Sequence, residues 1–236
     1  MTITTDQTLA ELVTADPRRA RVLERFGLDY CCGGGRTLGE ASAAADVNAT
    51  EVLAALDLPD EAPRQPWLEL GPADLATLIV QTHHAYLWSE MPRLTALVEK
   101  VHGVHGERHP ELATLRDLYA EVVADLGPHL TKEERILFPA IAQLEQLGRD
   151  ATFPFGRLEN PIRMMLAEHD AVGELFTRIR QTTAGYAMPE DGCASYQAML
   201  FGLATMEADL HDHIHKENNV LFPRVLELET GLFGPA

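Results

Sequence analysis

The feature that most constrains this chain is an internal repeat. Residues 129–139 read HLTKEERILFP and residues 213–223 read HIHKENNVLFP, matching without a gap at His, Lys, Glu, Leu, Phe and Pro. The offset of 84 residues, from His129 to His213, also lays Asp125 over Asp209, so each copy reads Asp-x3-His-x3-Glu. Residues four apart stand one turn above each other on a helix. Each copy therefore presents an imidazole and a carboxylate on one helical face, His129 with Glu133 and His213 with Glu217. The stretch HDHIHKE holds three histidines, and the repeat selects His213, which aligns with His129 and has Glu217 one turn on.

If the second half of this region repeats the first, the helices that precede the two motifs correspond as well. Shifting His169 (in LAEHDAVGEL) back by 85 residues lands on His84 (in VQTHHAYLW). The candidate ligand set is then four imidazoles and two carboxylates: His84, His129, Glu133, His169, His213 and Glu217. Imidazole and carboxylate together suit iron, manganese or zinc, and two glutamates can bridge two metals about 3.5–4 Å apart. Asp125 and Asp209, one turn before their histidines, are candidates to orient the rings. Glu168, beside His169, is a candidate acid or base. His83, His211 and His215 read as ordinary core or surface residues. So do His102, His105 and His109, which fall in what reads as a loop, HGVHGERHP, with spacing too loose to define a site.

From Pro72 onward, four long segments carry helical periodicity, broken at HGVHGERHP, GRDATFPFGRLENP and AGYAMPEDG. Four helices with short or moderate connections predict an all-α, antiparallel four-helix bundle over residues 72–236. Residues 1–60 read as a small helical domain. Its apolar spacing is helical (Leu9, Leu12, Val13, then Val22, Leu23, Phe26), Asp16-Pro17 marks a helix start and Gly27 a stop, and TLGEAS and NATEVLAAL predict two further short helices. Between them lies LDYCCGGGRTL, where three glycines are expected to free the backbone for conformations closed to other residues. Residues 61–71, crowded by Pro63 and Pro66 and bounded by Pro59 and Pro72, read as a linker.

The formal charge of −17 excludes nucleic acid and anionic membrane as partners, since both would be repelled. No run reaches the roughly 18 apolar residues of a membrane span. The first twenty residues lack a basic region followed by an apolar stretch, so no secretory leader is expected. Three cysteines, two of them adjacent, do not make a disulfide framework, and the expected compartment is the reduced interior of a cell.

HLTKEERILFP, AEHDAVGEL and DHIHKENNVLFP resemble the haemerythrin-type domain of the di-iron, iron–sulfur cluster repair proteins, the Repair of Iron Centres family. LDYCCGGGRTL is similar to that family's short N-terminal domain with its Cys-Cys-Gly-Gly signature, so the resemblance covers essentially the whole chain. It implies a haemerythrin-like bundle holding two non-haem iron ions, oxo-bridged when oxidised, on the six residues named above. It also implies cytoplasmic action on damaged iron–sulfur proteins under nitrosative or oxidative stress. In that setting Cys31 and Cys32 are candidates for passing iron or contacting a cluster; the other reading is a tight turn with buried thiols. Two further functions fit the same site. One is a protein that binds or senses nitric oxide or oxygen, and the other is a di-iron nitric oxide reductase, with Asp125 and Glu168 as proton relays. A metal-dependent repair factor is favoured over a turnover enzyme. An acidic surface with a small appended domain is compatible with a homodimer. The chain departs from the family in HHAYLWSEMP, more apolar than expected after His84, and in its histidine-rich HGVHGERHP.

Overall fold

In the computed structural model, which describes residues 3–59 and 62–234, the chain is built from helices. Four short ones come first: α1 (Leu9–Ala15), α2 (Arg19–Arg25), α3 (Leu38–Ala44) and α4 (Ala49–Leu56). Two of these start with the same device. Thr8 and Thr37 each accept from the backbone N–H three residues on, and Glu11 and Glu40 each reach back to the threonine N–H. Such reciprocal caps satisfy donors that a helix start otherwise leaves unpaired. Gly27 closes α2 with φ of 67°. The expected boundary between the small domain and the linker, at residues 60 and 61, lies outside the described residues. A 3-10 turn (Pro66–Glu69) lies within the linker stretch.

The remainder forms four long rods. The first is α5 (Pro72–Ile79) continued by α6 (Ala85–His105); the second is α7 (Glu111–Lys132) with α8 (Phe138–Leu147). The third is α9 (Glu159–Thr182), and the fourth α10 (Ala194–Lys216) with α11 (Phe222–Phe233). Their direction follows from what packs together. Leu75 and Ile79 in α5, Ile141 and Leu144 in α8, Ile162 and Met165 at the start of α9, and Phe222 and Val225 in α11 share one apolar cluster. The opposite ends of the same rods share another, with Leu94, Leu118, Phe176 and Leu203 among its members. The rods therefore alternate in direction, as in the antiparallel bundle expected from the sequence. The small domain joins the second cluster through Leu9, Leu12, Leu23, Leu38, Val52 and Leu56.

Three of the four rods contain a wide π-turn: Val80–His84, Glu133–Leu137 and Glu217–Leu221. At the second and third, the N–H of Phe138 and of Phe222 donates to the carbonyl five residues back, on Glu133 and Glu217. The repeated LFP motif accounts for this locally. Pro139 and Pro223 have no N–H to give and would clash with the carbonyl four residues back, so the wider turn before each relieves the helix.

Two expectations need correction. The first four residues of HGVHGERHP are helical: α6 runs through His105, whose ring is buried against Tyr196 with its Nε2 3.2 Å from Cys193 Sγ. His102 is also in this last turn, and only His109 of the three lies beyond it. Nor does any of Gly33, Gly34 or Gly35 take a positive φ. Two of them are needed for room instead. A Cβ on Gly34 would sit 2.5 Å from the Tyr30 carbonyl and from Asn219 Oδ1, one on Gly33 2.8 Å from the Asp29 carbonyl, and one on Gly35 would meet nothing within 4 Å.

Candidate metal centre

The polar layer lies where the two apolar clusters meet. Reading along each rod, a residue of the first cluster, then a site residue, then one of the second appears in turn: Ile79, His84, Leu87; Met165, His169, Val172; and, in the reverse direction, Leu130, Glu133, Leu137 and Ile214, Glu217, Val220. All six predicted residues are buried, with His84, Glu133, His213 and Glu217 at 0% exposure.

Their donor atoms converge as two groups of four. His84, Glu133, His213 and Glu217 form one, and His129, Glu133, His169 and Glu217 the other; within each, the ligand atoms lie within 4.8 Å of one another. The carboxylates belong to both groups. The Nε2 atoms face in pairs, His84 to His213 at 3.2 Å and His129 to His169 at 3.1 Å. Glu133 Oε2 lies 3.4 Å from His84 Nε2 and 3.3 Å from His129 Nε2; Glu217 Oε1 lies 2.9 Å from His213 Nε2, and its Oε2 3.1 Å from His169 Nε2. Each pairing crosses the repeat, a lone histidine from one half with the His-x3-Glu histidine of the other.

This arrangement fits cations better than it fits itself. Both oxygens of Glu133 and Oε2 of Glu217 are buried without a hydrogen-bond partner, which is costly for an ionised group. Two imidazole nitrogens each about 2.1 Å from a shared ion and at roughly a right angle would be about 3 Å apart, close to the pair distances observed.

Three of the four rings have a partner on the far nitrogen. His84 donates from Nδ1 to Glu134 Oε1 (3.1 Å), His129 to Glu168 Oε2 (2.9 Å) and His169 to Asn218 Oδ1 (2.7 Å). An acceptor at Nδ1 puts the ring proton there and leaves the Nε2 lone pair free to ligate. The Nδ1 of His213 has no such partner, and its ring stacks on His83 at 5.4 Å, nearly parallel. Asp125 and Asp209 therefore do not hold the rings in this way. Asp209 accepts from His83 Nδ1 at 2.9 Å, while Asp125 lines a cavity of about 240 Å³ that reaches His129, His169 and His213 between α7, α9 and α10. Glu168, at the same cavity, also pairs with Lys132.

The sequence reasoning missed Glu134 and Asn218. Both immediately follow one of the two shared glutamates and are 84 residues apart, so the repeat carried the signal. Each orients the lone histidine of its own half. Trp88, from the apolar stretch after His84, donates to Glu134 Oε1 at 2.9 Å.

Burial opposes protonation of His84, but the Glu133 and Glu217 carboxylates outweigh it and lift it to about 9. His129 rises to about 10 for the same reason, with Glu168 adding to Glu133. Burial pushes His213 below the usual imidazole range. Burial and mutual repulsion oppose ionisation of Glu133, yet His129 and His84 hold it below its ordinary value; Glu217 is held well below by His213, His169 and His84 against burial. Glu168 falls to about 2, first through its bond from His129 and then through Lys132.

The N-terminal thiols lie beside this layer. Asp29 Oδ1 accepts from the N–H groups of Cys31 and Cys32, both at 3.0 Å, and Oδ2 from that of Gly33 at 2.9 Å. Cys31 Sγ is buried and 3.9 Å from Cys32 Sγ, and the thiol is pushed up by its bond to Cys32 and by burial. Cys32 lines a groove of about 460 Å³ between this loop, α9 and α10.

Fold and site together define a helical bundle whose paired histidines and shared carboxylates could hold cations. Comparison with known proteins agrees. A family model described as "Hemerythrin HHE cation binding domain" matches residues 76–225, and one described as "Domain of Unknown function (DUF542)" matches residues 5–59. The chain is 35% identical over 228 residues to the iron–sulfur cluster repair protein YtfE of Pectobacterium carotovorum, covering 95% of this chain and 98% of that one. It is 36% identical over 222 residues to YtfE of Salmonella newport, covering 94% and 97%. The chain belongs to the haemerythrin HHE cation-binding family, within the group of the YtfE iron–sulfur cluster repair proteins.

Proposed function

We propose that this protein holds two iron ions and supplies iron to iron–sulfur clusters damaged by nitrosative or oxidative stress, acting in the cytoplasm. The observation that carries this is the pair of His-His-Glu-Glu groups sharing Glu133 and Glu217, whose oxygens lack other partners. His84, His213 and the two glutamates would hold one ion, and His129, His169 and the same glutamates the other. When bound, the ions supply adjacent ferrous or ferric centres and are themselves the cargo.

Glu134, Glu168 and Asn218 keep the ring proton of their histidines at Nδ1, so Nε2 remains a ligand. The small cavity between α7, α9 and α10 limits what can approach. A centre that gives up its cargo must also survive without it. Here the two carboxylates balance protons on His84 and His129 once the ions leave, so release does not strand buried charge. Among the described residues no helix is long and apolar enough to cross a membrane.

The test is restoration of a cluster enzyme inactivated by nitric oxide. Iron-loaded protein restores its activity, and a Glu133→Leu/Glu217→Leu variant does not; equal repair by the variant would remove the bundle site as the source. The cavity of about 240 Å³ favours a second reading, capture of nitric oxide or oxygen at the same centre. Donation predicts iron that a mild chelator removes, whereas capture predicts firmly held iron and reversible spectral changes with the gas.

A further inference from the structure

The two halves of the repeat differ at the residue that follows each shared glutamate. In the first half the residue after the ligand glutamate is Glu134, a carboxylate that only accepts; in the second it is Asn218, an amide that can also donate. Asn218 uses both ends. Its Oδ1 accepts from His169 Nδ1 at 2.7 Å, and its Nδ2 donates to the Cys31 carbonyl at 3.4 Å. A carbonyl can only accept, so the amide nitrogen faces Cys31 and the oxygen faces the ring. The next residue, Asn219, donates to the same carbonyl at 3.0 Å and to that of Tyr30 at 3.3 Å, in the space the absent Gly34 side chain leaves. The N-terminal loop is thus fastened directly behind a candidate ligand.

The carbonyl that receives these bonds belongs to the peptide joining Cys31 to Cys32. Any bond formed between the two sulfurs encloses that peptide in an eight-membered ring. The sulfurs, 3.9 Å apart, would have to close to about 2.05 Å, and the peptide would turn with them.

The geometry points to Asn218 as a positioning residue that makes the hold of the metal centre on its cargo responsive to the thiol state of the Cys31–Cys32 pair. This rests on the metal-centre reading above. With a small disulfide as oxidant, the Cys32 thiolate in the groove attacks one reagent sulfur and expels the first reagent thiolate. Cys31 then attacks Cys32 Sγ, forming the Cys31–Cys32 bond and expelling the second. The cysteines lose two electrons and two protons, and the reagent leaves as two thiols. The turned peptide withdraws the acceptor from Asn218 Nδ2, and the amide no longer holds His169 at one orientation.

The experiment uses the full chain in a Cys193→Ser background, so that only the vicinal pair reacts, with 4,4′-dithiodipyridine as oxidant. Affinity for Fe(II) is read by chelator competition, and the His169 tautomer by long-range nitrogen–proton correlation in the metal-free protein. Oxidation is expected to weaken Fe(II) binding about tenfold and to move the His169 ring signals, at the low end of the effect of losing an outer partner. Asn218→Asp keeps an acceptor for His169, as Glu134 does for His84, but cannot donate to Cys31. Its affinity and ring signals should no longer respond to oxidation. A Cys31→Ser/Cys32→Ser variant should be equally unresponsive.

Equal responses in the parent and in Asn218→Asp, or no response in the parent, would overturn the coupling. The ring signals keep failure of the coupling distinct from failure of the metal-centre reading, because they report on the link even if the chain binds no iron.

Discussion

Replacing both shared carboxylates with leucine should stabilise the metal-free protein while abolishing its metal binding. Glu133 and Glu217 are fully buried and three of their four oxygens lack a hydrogen-bond partner. In the metal-free state they are compensated by protonated His84 and His129, so the layer is a buried ionic cluster between two apolar ones. Exchanging such a cluster for apolar groups of similar volume is neutral to stabilising, by about 1–4 kcal/mol. With the glutamates gone, the charge that favours protons on His84 and His129 leaves together with the protons it balanced. For a chain of this size about 1 kcal/mol moves the melting temperature by about 2–4 °C. The metal-free variant should therefore melt about 2–16 °C above the metal-free parent, measured by calorimetry in the presence of a chelator. Iron reverses the order. One ion at a thousandfold excess over its Kd stabilises the parent by about 4 kcal/mol and the variant not at all. A metal-free variant that melts below the parent would refute the idea that the site is kept at a stability cost. Equal iron-induced shifts in both proteins would refute the ligand assignment.

The glycine run makes a position-specific prediction. Gly34→Ala forces a methyl within 2.5 Å of a backbone oxygen and should destabilise by about 1–3 kcal/mol, whereas Gly35→Ala, which meets nothing, should stay within about 0.5 kcal/mol by urea denaturation. Cys193 should be the fastest of the three thiols to alkylate. It is exposed at the start of α10, and the Tyr196 N–H together with His105 lowers its thiol to about 7. The thiolate is the nucleophile, so the rate should rise through a midpoint near pH 7 and fall away below it. His105→Gln should move that midpoint upward, and an unchanged midpoint would remove the ring from the account.

The site was more legible than the fold's details because a repeat encodes pairing directly. Two HxKE copies one offset apart specify a pseudo-twofold arrangement, and six buried side chains meet where that symmetry brings them. What the repeat did not encode is where the symmetry is broken. Asp125 and Asp209 are equivalent in sequence, yet one lines a cavity and the other is taken by His83, whose counterpart beside His169 is not a ring but Glu168. Glu134 and Asn218 are likewise equivalent, and a pattern search that rewards identity passes over a Glu matched to an Asn. Their shared task becomes visible only once the π-turns set each of them behind a ring. The glycines of the Cys-Cys loop show the same limit. Sequence says that a side chain is absent, and only packing says whether the reason is a backbone angle or, as at Gly34, the approach of Asn219. One place where the halves differ in chemistry, an amide in place of a carboxylate, is also where the N-terminal domain docks. The asymmetry that hid Asn218 from the repeat is what allows it to face two partners.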